Sequence, residues 1–180
     1  MSTLTADPPF ARGQTLGGGI ASLDSSFGTD KTGSRKEFLD VDVTTGKLNT
    51  NRTVTCICLK NTTGAALTKG KLVKFDVTGS ASAVAAAADY QVAVVDEYLP
   101  SGGVAANDVF WGVIRGPTTV ASTGTIAAGG RVAVSTSGNC IAGTGAVAYL
   151  GEAITAAANS FVRAMVGGTD NSASIPTNAA

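Results

Sequence analysis

Residues 127–138, AAGGRVAVSTSG, repeat the shape of residues 68–79, TKGKLVKFDVTG. Each copy has a glycine, a basic residue close behind, a Val-x-(Phe/Val) core and a second glycine that closes the run. With Gly70 set on Gly129, Val73 meets Val132, Phe75 meets Val134 and Gly79 meets Gly138 without a gap, at an offset of 59. Further on, VAVVDEYL at 92–99 matches VAYLGEAI at 147–154 at an offset of 55, which makes the second copy four residues shorter between its strands. The pattern predicts a duplicated β-unit in which each copy covers the apolar face of the other. Two copies are too few for a solenoid and suit a small barrel or sandwich. The glycines are expected to supply positive φ where the chain turns into and out of a strand. Neither copy matches a phosphate-binding GxxxxGK[ST] loop, and no helical pattern follows either one.

Outward from the repeat, the chain keeps the same character. FLDVDVTTGKL at 38–48 alternates Leu39, Val41 and Val43 against Phe38, Asp40 and Asp42, then turns at Thr45-Gly46, as a half-buried hairpin would. Further strands are predicted at 53–59, 72–76, 81–85, 90–96, 108–114, 131–135, 140–142, 147–150 and 161–166, separated by Gly, Ser and Asn turns. The fold class that follows is all-β, with an extended N-terminal arm over 1–37, a β-rich domain over 38–167 and a polar tail over 168–180. The arm holds isolated hydrophobes, Phe10, Leu16, Ile20, Leu23 and Phe27, too sparse for a core and not at helical spacing. Fully stretched it reaches on the order of 120 Å, enough to cross onto a neighbouring subunit; a floppy tail is the competing expectation.

Composition narrows the function. The 180 residues carry 13 basic and 13 acidic side chains, so no net charge draws the chain to nucleic acid or anionic lipid. No run reaches the roughly 20 apolar residues of a membrane span. The N-terminus lacks the basic and apolar regions of a signal peptide, which predicts synthesis in the cytoplasm. There is no histidine, which removes the commonest general base and every Ser-His or Cys-His arrangement. Cys56, Cys58 and Cys140 read as buried apolar thiols, not as a disulfide framework or a metal site. Asp40 and Asp42 share a strand face without a calcium-loop pattern and read as a solvated face. Asp96 and Glu97 adjoin on a strand and are expected to point apart. No GxSxG elbow is present, so enzyme activity is not expected, and neither is a cofactor or a metal.

Phe110 and Trp111 are the one dense pair among ten aromatics. Neighbours on a strand face opposite ways, so Phe110 is expected in the core, and Trp111 either there or at a subunit interface. Arg115 follows in a turn at 112–116 and is a second candidate interface residue, or an ordinary surface arginine.

The succession TKGKLVKFDVTG, YQVAVVDEYLPSGG, DVFWGVIRGPTTV, AAGGRVAVSTSG and VAYLGEAI, over roughly residues 53–166, resembles the small capsid cement or decoration proteins of tailed bacteriophages. The resemblance implies a homotrimer on the outer surface of an HK97-like shell, bound to the major capsid protein and stabilising it by non-covalent contacts. It does not cover the arm. Two alternatives remain: a receptor- or glycan-binding module of a tail or fibre, working through loop 99–107, and a small Ser or Cys hydrolase.

Overall fold

The computed structural model describes residues 11–16, 32–86, 89, 91–144 and 148–167. They form ten strands: β1 (Arg35–Val41), β2 (Leu48–Asn61), β3 (Leu72–Phe75), β4 (Ser80–Val84), β5 (Val92–Val95), β6 (Val109–Ala121), β7 (Arg131–Val134), β8 (Cys140–Ala142), β9 (Tyr149–Ala153) and β10 (Phe161–Val166). The all-β expectation holds. β1 begins inside the stretch assigned to the arm, and residues 11–16 of that stretch lie against the β domain, where Leu16 N donates to Val109 O at 3.0 Å.

Five pairings close a circuit. β2 pairs β6, β6 pairs β5, β5 pairs β3 and β3 pairs β4, all antiparallel; β4 returns to β2 in parallel through Lys60–Ser80 and Asn61–Ala81. Alternate residues of these strands fall into two separate cores, as the two-residue period of a strand requires. Ile57, Leu59, Val73, Ala93, Val95 and Phe110 belong to one. Cys56, Cys58, Val92, Val94, Trp111 and Val113 belong to the other. Burial on both faces explains why CICL at 56–59 and VAVV at 92–95 are unbroken apolar runs with no polar alternation. Gly112 makes room within the first core, because a Cβ there would sit 2.6 Å from Leu59 Cδ1 and 2.9 Å from the Ala93 methyl.

β6 leaves the circuit and carries the chain into a second layer. Its first half pairs β2 and β5; its second half pairs β10, which continues to β9, β7 and β8. The strand was expected to end near Ile114 and instead runs on to Ala121, so Arg115 is a strand residue, not part of a turn. A register shift against β2 falls at this point, and Gly116 takes φ +106°, where a Cβ would stand only 2.5 Å from Thr53 O. Such a bulge is how a strand turns the corner between packed sheets. Val120, Val132, Val134, Leu150, Val162 and Ala164 of the second layer complete the core that contains Trp111.

The duplication is visible in the topology. The order β4-β3-β5-β6 of the first copy recurs as β8-β7-β9-β10 in the second. Gly70 N donates to Val95 O and Gly129 N to Ala153 O, both at 2.8 Å. All four repeat glycines take positive φ: +74° and +73° at the entry turns, +81° and +68° at the exits. The second half of the sequence alignment needs correction, however. Leu72 pairs Val94 while Arg131 pairs Glu152, an offset of 58 for β9 instead of 55. Matching letters had placed Glu97 on Glu152; the turn hydrogen bonds set the register, and they place Val94 there.

Replacing either entry glycine by alanine tests this equivalence. Both variants force an L-residue into left-handed backbone, at about 1–2 kcal/mol each. Only at Gly70 does the new Cβ also meet neighbours, Phe161 Cε1 and Thr119 O, each 3.1 Å away, whereas Gly129 faces open space. Urea unfolding should show Gly70→Ala destabilised clearly more than Gly129→Ala.

Candidate functional site

The end of β5 gathers charge. After Val95 the chain turns, with Tyr98 N donating to Asp96 Oδ1 at 3.2 Å, so Asp96 and Glu97 do not point apart as they would on a continuing strand. Both reach one guanidinium: Arg12 Nη2 lies 3.1 Å from Asp96 Oδ1 and 3.6 Å from Glu97 Oε1. Gly13 N adds a 2.8 Å hydrogen bond to Asp96 Oδ2, and Arg12 stacks over the Tyr98 ring at 4.9 Å. Arg163 of β10 forks between two carboxylates, with Nη2 on Asp40 at 2.7 and 2.9 Å and Nη1 on Glu97 at 3.1 and 3.0 Å. Thr50 and Asn49 donate to the same Asp40, and Thr119 donates to Glu97.

This network overturns the solvated-face reading of Asp40, which is 0% exposed. The hairpin is turned so that Phe38 and Asp40 face inward and Leu39 outward. Phe38 meets Trp111 edge to face, with ring centroids 5.4 Å apart. An inward carboxylate needs a partner, and Arg163 supplies it from 123 residues away in sequence. Burial opposes the charge on Arg12, but Asp96, with Glu97 behind it, outweighs that and raises its pKa; Arg163 is raised in the same way, against burial, by Glu97 and Asp40.

Of the residues singled out from sequence, Trp111 is 0% exposed and belongs to the core, not to a surface. Arg115 is exposed on β6, opposite Thr55. Leu16 is half-buried against the Trp111 core. Phe10, Ile20, Leu23 and Phe27 lie outside the described residues. Sequence reasoning missed Arg12, Asp96, Glu97 and Arg163 as one cluster, because no local pattern links them.

Two features of the described surface bear on function. At the β1–β2 hairpin Leu39, Val43 and Leu48 are 62%, 49% and 56% exposed, beside a turn held by Thr44 N donating to Asp42 Oδ1 at 2.9 Å. That amide hydrogen bond holds the Asp42 carboxyl below the usual range. β1 is an edge strand of the sheet. On another face, two adjoining hollows of about 340 and 560 Å³ share Lys69 and Phe161.

No protein-family model matches the chain, and no curated protein does. Among solved structures, the N base of the head fiber protein gp8.5 of bacteriophage phi29 aligns with 63% of this chain and 94% of its own, at 10% identity and a TM-score of 0.42.

Removing Arg12 leaves the buried Asp96 carboxylate without its guanidinium. Arg12→Ala is expected to cost about 3–5 kcal/mol, as for other broken buried pairs, and to expose residues 11–16 to protease while β2–β6 amides stay protected from hydrogen exchange. A second prediction concerns the three thiols, all buried and none in a disulfide. Burial pushes Cys56 and Cys140 from 9.0 up to about 12. Between these values the folded protein holds protons that the unfolded chain has released, so their contribution is full below pH 9.0 and lost as pH rises toward 12. The fall of stability across that alkaline window should be shallower in a Cys56→Ala, Cys140→Ala double variant, measured by urea midpoints.

Proposed function

We propose that this protein is a virion structural protein that decorates the outer surface of an HK97-like phage shell as a homotrimer. It binds the major capsid protein through non-covalent contacts and stabilises the shell without catalysis, cofactor, nucleic acid or membrane. The reading rests on the sequence resemblance to phage decoration proteins. The observation that carries it to a surface is the apolar rim of the β1–β2 hairpin. Three large aliphatic side chains stand in water along one exposed edge, and burying each fully is worth up to about 1.5–3 kcal/mol. An edge strand also offers free backbone groups to a neighbour. Three such rims meeting at a threefold axis would bury one another, and the trimer would then grip the shell at three places, raising the effective concentration of each contact. Binding that favours the closed shell over free subunits raises shell stability by mass action. Residues 11–16 are anchored on the β domain through Arg12 and Gly13, both on Asp96.

Light scattering on the purified chain, followed by co-sedimentation with shells that lack it, tests both steps. The wild type should be trimeric, saturate the shells and raise their melting temperature. A Leu39→Lys, Leu48→Lys variant should be monomeric and bind shells far more weakly. A wild-type monomer that ignores shells would discard the reading, and a variant that stays trimeric would remove the hairpin from it.

A further inference from the structure

The two hollows that share Lys69 and Phe161 form one groove at the seam between the repeat copies. We infer that this groove binds a saccharide chain, with a sugar ring on the face of Phe161 and its hydroxyls on the surrounding polar side chains. This inference stands on the groove and is independent of the shell reading.

The chemistry of the walls carries it. Phe161 is only half-buried and, among the described residues, is the one aromatic side chain lining either hollow. Around it stand hydroxyl and amide groups, among them Ser101, Thr123, Asn139 and Ser160, with the exposed ammonium of Lys69 common to both hollows. A sugar ring has the matching duality: an apolar C–H face that packs on an aromatic ring and a rim of hydroxyls that both donate and accept. Each hollow is of the size usual for small-ligand sites, roughly 300–1,000 Å³, and their continuity suits a short oligosaccharide over a single ring.

The ring is also held in place. Asn159 and Ser160 both take left-handed backbone, at φ 51° and 64°, and make a two-residue turn. Ala158 and Phe161 exchange hydrogen bonds across it at 2.8 and 2.9 Å. Gly70 leaves space for the ring edge, since a Cβ there would stand 3.1 Å from Phe161 Cε1. The site is therefore preformed, which lowers the entropy cost of binding.

Other ligand classes fit less well. A peptide adding as a strand needs free backbone groups, yet three backbone amides along the groove are already engaged: Gly70 N on Val95 O, Ala121 N on Gly70 O and Ser122 N on Ser160 O, each at 2.8 Å. A nucleic acid needs several free cations. Lys71 is held by Ser137 O at 3.0 Å and Asn139 Oδ1 at 2.7 Å, and Glu97 sits at the other end. Lys69 then gives sugars that carry a carboxylate an advantage over neutral ones.

Saturation-transfer NMR on the full chain, with a panel of neutral oligosaccharides and their uronate-containing counterparts, tests the inference. Saturable binding is expected, with transfer from aromatic protons to the sugar. Phe161→Leu keeps an apolar side chain but no ring face and should weaken binding about tenfold. Lys69→Ala, on an exposed side chain, should leave the melting temperature unchanged and reduce binding of uronates more than of neutral sugars. No saturable binding to any member of the panel, or a folded Phe161→Leu protein that binds as well as wild type, would overturn the proposal. If Phe161→Leu does not fold, equal uronate binding by Lys69→Ala and wild type overturns the charged part, and absence of aromatic transfer in the wild type overturns the stacking part.

Discussion

The pairing of β2 with β6 is the constraint on which the rest of the molecule depends. It closes the five-strand circuit and buries both faces of the two strands, so that Leu59 and Phe110 fill one core while Cys58 and Trp111 fill the other. A strand buried on both sides has no polar face to spend on solvent, and its neighbours must supply apolar cover in two directions. The circuit supplies one cover. The second copy of the repeat supplies the other, and β6 is long enough to belong to both layers.

A buried ion cluster sits where these layers, the β1–β2 hairpin and the N-terminal segment come together. Arg12, Asp40, the adjacent Asp96 and Glu97, and Arg163 come from four separated parts of the chain. Buried pairs of this kind add little net stability, because desolvation offsets most of the attraction, but breaking one is costly. Arg12 also has two buried nitrogens, Nε and Nη1, without a hydrogen-bond partner among the described residues. The cluster is therefore better understood as a device for position. It sets which way the hairpin turns and where the arm attaches, and through the hairpin it decides that Leu39 stands in water while Asp40 does not.

That orientation ties the fold to the proposed function. A hairpin registered one residue differently would bury its leucines and expose its aspartates, and the apolar rim would vanish. The groove depends in the same way on the seam between copies. Its walls come from the entry turn of the first copy and from the hairpin that leads into the last strand of the second, so neither copy alone contains it.

Short-range features were legible in the sequence because their causes are local. Strand period, β-branched runs, the glycine turns and their positive φ and the buried thiols all follow from residues within a few positions of one another, and the duplicated unit follows from setting two such short stretches side by side. Longer-range features were not. The repeat offset of 58 for β9 comes from hydrogen bonds across the entry turns, which letter matching does not register. The strand continues past Arg115 because β10 pairs with it, despite Gly116 and Pro117. The inward Asp40 is decided by Arg163, 123 residues later, and the convergence of Asp96 and Glu97 by Arg12, 84 residues before Asp96. A carboxylate in a sequence looks the same whether it faces water or a guanidinium. Only the tertiary structure, by fixing what lies across from it, determines which.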